Sequence, residues 1–305
     1  MQQYLRKVRA SFHGGLVVNP GGINKHDLKI EFSISKGISS SANTAEISIW
    51  NLTESHRNGI GKEFDAITLE AGYIPPGDDG NVGIIFRGAV RDVEHRRDGP
   101  NIITTISCGD GDRALRRATI SKSYPKGTPV KTVVDDLYKE MEKEGVSRGE
   151  WKFPDKMNDK TFKRPYATCG SCTRELDTIG RGNDFYWSVQ NETLEIIPGN
   201  GYIGEVVLIT PQTGMVGTPT ITDNGVNVSA LLNPSIRPNR RVKIVSETLE
   251  MNAADGVYRV SEATYSGNNM DGEFVVQMTC ESIQSGKVNE GVNDMVLPPP
   301  RPAGI

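Results

Sequence analysis

The residues with the clearest capacity for chemistry are the two cysteines of CGSC, Cys169 and Cys172. Such a pair at a helix start lowers a thiol pKa and drives disulfide exchange. The surroundings argue against that use. The preceding KRPYAT does not read as an apolar strand, and no βαβ pattern encloses the motif. As half of a zinc site it lacks a nearby second pair, and no two histidines have ligand spacing. The other cysteines, Cys108 and Cys280, fall in separate strand-like segments. The expectation is therefore a structural helix start, with Cys172 in a small core.

Other candidates end the same way. CGDGDRAL (Cys108–Leu115) has the glycines and aspartates of a binding loop. It lacks the GK[ST] of a phosphate loop and the Gly and Glu positions of a calcium loop, so it reads as a domain-exit turn. His13, His26, His56 and His95 are scattered among polar residues, and no nucleophile sits in an elbow-type turn. Asp135 and Asp136 lie on the polar side of a helical pattern. The basic clusters HRRD (His95–Asp98) and RPNRR (Arg237–Arg241) read as solvated turns. No catalytic constellation, cofactor site or metal site is expected.

The elements that would position these residues are mostly strands. The chain has 305 residues, 35 Lys+Arg against 38 Asp+Glu, and a formal charge of -3, which gives no basic footprint for tight nucleic-acid binding. No run reaches the roughly 18–20 apolar residues of a membrane span. The N-terminus lacks a signal-type apolar core, so assembly in a cytoplasm is expected. Residues 1–112 read as strands with period-2 alternation, as in LKIEFSISKG and AEISIW. Between AEISIW and AITLEAGY lies a short polar helix, with Thr53 as N-cap, Glu54 in the first turn, and Gly59 or Gly61 at its end. Residues 113–200 read as a small α+β unit. Its main helix has Thr128 as N-cap, Pro129 first, a stripe of Val130, Val133, Val134, Leu137 and Met141, and Gly145 closing it. A second helix covers SCTRELDTIGRG, and a hairpin follows at DFYWSVQNETLEIIPG. Residues 201–285 return to strands, and 286–305 read as an extended, proline-rich tail.

One internal repeat stands out. Phe86–Cys108 and Tyr258–Cys280 have equal length and superpose without a gap, matching Arg87 to Arg259 and Cys108 to Cys280. This reads as two copies of one small β-domain on either side of the α+β unit.

These stretches in this order resemble the baseplate (tail) hub proteins of long-tailed, especially contractile-tailed, bacteriophages. The resemblance rests on AEISIWNLTESHRNGI…ITLEAGY…GIIFRGAV, on CGDGDRALRRATISKSYPKGTPVKTVVDDL, and on ALLNPSIRPNRRVKIVSE…DGVYRVSEATYSGNNMDGEFVVQMTC, and covers most of residues 25–285. It implies a mainly β chain in which two tube-type β-barrel domains (1–112 and 201–285) flank an inserted α+β domain (113–200). It implies a non-enzymatic homotrimer whose six similar barrels ring a channel that passes DNA without binding it. The implied partners are the tail tube protein, the trimeric central spike, the wedge proteins and the tape measure protein. The implied location is the virion baseplate. Expected contact residues are Thr53, Glu54, His56 and Arg57 on the short helix, and Val296, Leu297, Pro298 and Pro299 in the tail. No lysozyme-like or spike-like segment is present. Two other readings stand beside this one: a tube or hub component of a related injection machine (a secretion system or phage-like bacteriocin), and an enzyme using the CGSC thiols.

Overall fold

Alternating apolar residues build most of the molecule. The computed structural model describes residues 5–21, 26–62, 65–74, 81–204, 206–223, 225–246 and 256–283. The first segment contains β1 (Leu5–Phe12), β2 (Val17–Val18), β3 (Ile30–Gly37), β4 (Thr44–Trp50), helix α1 (Glu54–Gly59), β5 (Ala66–Ile74), β6 (Gly83–Asp98) and β7 (Asn101–Gly109). The middle segment contains α2 (Asp112–Arg117), β8 (Thr119–Tyr124), α3 (Val130–Lys143), β9 (Ser147–Trp151), β10 (Tyr166–Ser171), α4 (Cys172–Arg181), β11 (Phe185–Val189) and β12 (Thr193–Pro198). The last contains β13 (Val206–Ile209), β14 (Met215–Thr222), β15 (Gly225–Leu231), β16 (Arg241–Ile244), β17 (Val257–Asn268) and β18 (Phe274–Glu281).

The chain is mainly β. Its first and last segments share one 13-stranded sheet, ordered β14-β15-β18-β17-β3-β4-β7-β6-β5-β1-β2, with β16 and β13 branching from β17. The join is β3 against β17, antiparallel, with Ile34 opposite Tyr265 and Ser35 opposite Thr264. The two β segments are thus not separate bodies. Their apolar residues form one cluster, from Val8, Ile30 and Ile47 through Val226 and Tyr258 to Cys280. Phe274 makes edge-to-face contacts with Phe32 at 5.8 Å and Tyr73 at 5.2 Å, and the Tyr73 hydroxyl donates to the Phe274 carbonyl at 3.1 Å. Such aromatic pairs contribute about 0.5–1.5 kcal/mol each beyond their buried area, so the join is fastened by core packing as well as by the ladder.

The middle segment has its own core, from Ala114 through Val133, Leu137 and Leu176 to Ile196. Two details differ from the sequence expectation. Helix α3 starts at Val130 with extended Pro129 as its cap, while the Thr128 hydroxyl donates to the Pro125 carbonyl at 2.8 Å. The cap moves one residue because Pro129 adopts ψ near 138°, outside the helix. The residues before CGSC do form a strand: β10 pairs with β8, with Thr168 opposite Lys122. Backbone pairing, rather than an apolar face, holds that ribbon.

Candidate functional site

The internal repeat is visible in the sheet. In the first segment the order is β3-β4-β7-β6-β5-β1, and in the last it is β14-β15-β18-β17-β16-β13. In each hairpin a Val opposes the repeated Cys, and the bulge follows immediately. Val90 faces Cys108 before the shift to Asp92–Ser107, and Val260 faces Cys280 before the shift to Glu262–Thr279. The gapless superposition is corrected by two residues in the first strand of each hairpin. Asp98 opposes Asn101 directly in one hairpin, whereas residues 269–273 close the other. The outermost pair also differs: β1 is antiparallel to β5, β13 parallel to β16.

Because side chains alternate across a sheet, the strands from β14 to the far end of β6 have one apolar and one polar face. Ile47, Ile49, Ile67 and Leu69 point to the core and are fully buried. The opposite face carries Thr220, Asn227 and Ser229, then Gln277 and Thr279, then Glu262 and Thr264. It continues through Ser33, Ser35, Thr44, Glu46 and Ser48 to Thr105 and Ser107. The Ser48 and Thr105 hydroxyls meet at 3.0 Å. A shallow groove in this face is lined by Thr218, Thr220, Ser229, Glu262, Thr264 and Gln277. Its charged side chains within these strands are Glu31, Glu46, Glu262, Asp92 and Glu94, with Arg96 and Asp98 at the end of the β6–β7 hairpin. It is a hydroxyl-rich, acidic surface.

Of the two basic clusters, HRRD is not a turn but the exposed end of β6, because it pairs with Asn101–Thr104 of β7, and RPNRR is engaged away from this face. Arg240 pairs with buried Glu195 at 2.8 Å, Asn239 donates to the same carboxylate at 2.8 Å, and Arg241 stacks over Tyr202 at 3.7 Å. Buried Arg259 pairs with Glu281 at 2.9 Å and donates to the carbonyls of Gly199 and Gly201. These contacts fix the middle segment to the sheet.

The CGDGDRAL turn is a second fastening point that sequence reading missed. The buried Asp110 carboxylate accepts the backbone N–H groups of Asn191 and Glu192, both at 2.6 Å, and the Asn43 amide at 3.0 Å. Asn191 and Glu192 both have positive φ, the left-handed region that a free polypeptide avoids. The Lys36 ammonium, also buried, donates to the Asn191 side chain. Burial raises the Asp110 pKa against the opposing pull of Lys36 and its hydrogen bonds, and burial lowers that of Lys36 to about 8. Gly111 has φ +63°, and a Cβ there would lie 2.7 Å from Val189.

CGSC starts helix α4 as expected, with Cys172 in the core of the middle segment. Cys169 is exposed on β10, whereas Cys172 is buried at the start of α4. Burial pushes the Cys172 thiol up to about 11, opposite to an activated thiol. His13, just after β1, binds Asp65 at 2.9 Å and His95, on β6, binds Thr104 at 3.1 Å, so the two have separate partners. No group of three metal-ligating side chains occurs among the described residues, and no helix there is long and apolar enough to cross a membrane. On α1, Thr53 caps the helix by accepting from the His56 N–H at 3.4 Å, and Glu54 and His56 are exposed. Arg57 is half-buried and reaches the Leu52 carbonyl at 3.4 Å. Val296, Leu297, Pro298 and Pro299 lie outside the described residues.

No protein of curated function matches the chain by sequence. Among solved structures, the 43 kDa tail protein of prophage MuSo2 from Shewanella oneidensis is similar at TM-score 0.62 and 10% identity, over 93% of this chain and 98% of that one. A tail protein from Neisseria meningitidis MC58 matches at 0.58 and 11%, over 92% and 97%. The c3393 protein of E. coli, described as a type VI secretion system component similar to T4 tail proteins gp27 and gp5, matches at 0.57 and 9%, over 94% and 79%. At these identities the likeness is one of fold. The model of the family described as baseplate hub gp41 matches residues 14–280, so the chain belongs to the baseplate hub gp41 family.

Proposed function

We propose that this baseplate hub protein is a non-enzymatic homotrimer whose six repeated β units form a pseudo-sixfold ring. The ring joins the hexameric tail tube to the trimeric central spike and surrounds the DNA channel. The observation that carries this is the duplication: two units of matching strand order joined edge to edge, so that one polar face runs across both. Duplicated units in a closed threefold ring supply the six near-equivalent positions that a sixfold partner needs. The hydroxyl-rich, acidic face suits a channel wall, because neutralising phosphates is what holds DNA and this face carries little to neutralise them with. The middle segment lies outside the ring and meets wedge proteins, and Val296, Leu297, Pro298 and Pro299 contact a partner. Each β unit completes its tube-type barrel in the assembled ring.

Solution mass together with electron-microscope images tests this, both on the purified chain and on baseplates from cells making the full tail set. A threefold particle with a central hole and the acidic face inward is expected. Baseplates carrying this chain with no threefold ring would refute it.

A further inference from the structure

We propose that the ring closes through two particular strand edges, the far half of β6 in one copy and β14 in the next, in a register copied from the β3–β17 junction within the chain. This rests on the trimeric reading above and gives it a specific seam.

The argument starts from unpaired edges. Among the described residues, β5 covers β6 only over Gly83–Ala89, and from Asp92 to Asp98 β6 pairs with β7 alone. The equivalent half of β17, Glu262–Asn268, is covered by β3. β14, the equivalent of β3, has β15 as its ladder partner among the described residues. Among the described residues, the two uncovered edges are thus the repeats of the two edges that meet inside the chain. A heterologous contact of this kind closes into a ring when the rotation permits.

The register follows from the cysteines. Ala45 opposes Cys108 and Ile34, and Val226 opposes Cys280 and Ile221, so Ile221 corresponds to Ile34. Counting from the shared bulge, His95 corresponds to Tyr265. Since Ile34 opposes Tyr265, Ile221 of one copy opposes His95 of the next. Thr222 then opposes Glu94, and Thr220 opposes Arg96.

The backbone directions agree. Asp98 opposite Asn101, and Thr222 opposite Gly225, are the tightest pairs of their hairpins and turn their N–H and C=O groups inward. By the alternation of an antiparallel strand, His95 and Ile221 turn theirs outward. Glu94, His95, Arg96 and Arg97 are exposed. Pro219 also falls at an outward position of β14 and supplies no donor, a placement proline takes at sheet edges. Proline and charged residues restrain edges from indiscriminate pairing, so this seam needs its matched partner.

Cysteine pairs in a Cys169→Ser chain test the register. Glu94→Cys with Thr222→Cys places two cysteines at a non-hydrogen-bonded pair on one face, where Cα atoms lie within disulfide range. In oxidised baseplates this variant, and equally Arg96→Cys with Thr220→Cys, is expected to give a covalent trimer at least about tenfold above Glu94→Cys with Ile221→Cys, whose side chains face opposite ways. Ile221→Pro is expected to lower the assembled fraction at least about tenfold with its melting temperature unchanged. A threefold ring by imaging with no crosslink above the control overturns the seam and leaves the trimer standing. Normal assembly of Ile221→Pro also overturns the seam. The absence of any ring overturns both.

Discussion

Asp110 gathers Asn43, Asn191 and Glu192 around one buried carboxylate, and Lys36 lies beside it. Removing one partner of a buried, hydrogen-bonded charge leaves the others unsatisfied, so Asp110→Ala is expected to cost about 3–5 kcal/mol in denaturant unfolding. Lys36 gives a pH signature. Its folded pKa, about 8, lies below the unfolded 10.5. Between these values the unfolded chain holds a proton that the folded chain has released, so stability rises with pH across that window. Below about pH 8 the penalty is fully present, roughly 3 kcal/mol by conversion of the shift. Lys36→Met is expected to lose this rise, read as the difference between wild-type and variant unfolding curves from pH 7 to 10.5. None of this was legible in CGDGDRAL, because the groups that Asp110 binds lie 67 residues before it and 81 and 82 residues after it.

At the scale of elements, local pattern served well. The α3 stripe is buried from Val130 to Met141, and Gly145 ends the helix with φ +98°. The Thr53 cap forms as expected. Thr53→Ala is expected to cost about 0.5–1 kcal/mol, the ordinary loss for an N-cap, as measured by thermal unfolding. CGSC separates by burial. Cys172→Ser places a hydroxyl in the small core and is expected to cost about 1–3 kcal/mol. Cys169→Ser, at an exposed position, is expected to change stability by less than about 0.5 kcal/mol and to leave assembly and redox behaviour unchanged. A redox phenotype in that variant would restore the thiol reading. β10 was not legible because its six residues carry no alternation and are held by pairing with β8.

For the whole molecule, the acidic face makes the sharpest demand. Glu31, Glu46 and Glu262 lie on adjoining strands β3, β4 and β17. Replacing all three by lysine changes the face by six charges per chain through exposed positions, outside the core. The variant is expected to gain DNA binding that weakens steeply with salt, as cation–phosphate contacts do, read by electrophoretic shift at two salt concentrations. Tails carrying it are expected to release DNA more slowly. Unaltered DNA affinity at low salt would count against a channel lined by this face.

The sequence by itself determined most strands of the first and last segments, the short capped helix, helices α3 and α4 of the middle segment, and the duplication; it missed α2, which starts inside CGDGDRAL. Each feature it determined depends on residues within a few positions of one another, or on one pattern appearing twice. The tertiary structure decided the rest. It set the two-residue offset within the repeat through where each bulge falls, joined the two β segments at β3 and β17, and turned scattered Ser, Thr and Glu residues into one continuous face. It also assigned Arg240 of the RPNRR turn to a buried ion pair with Glu195. These outcomes depend on which edges meet across more than two hundred residues, and an alternating strand carries the same local signal whichever neighbour it finds.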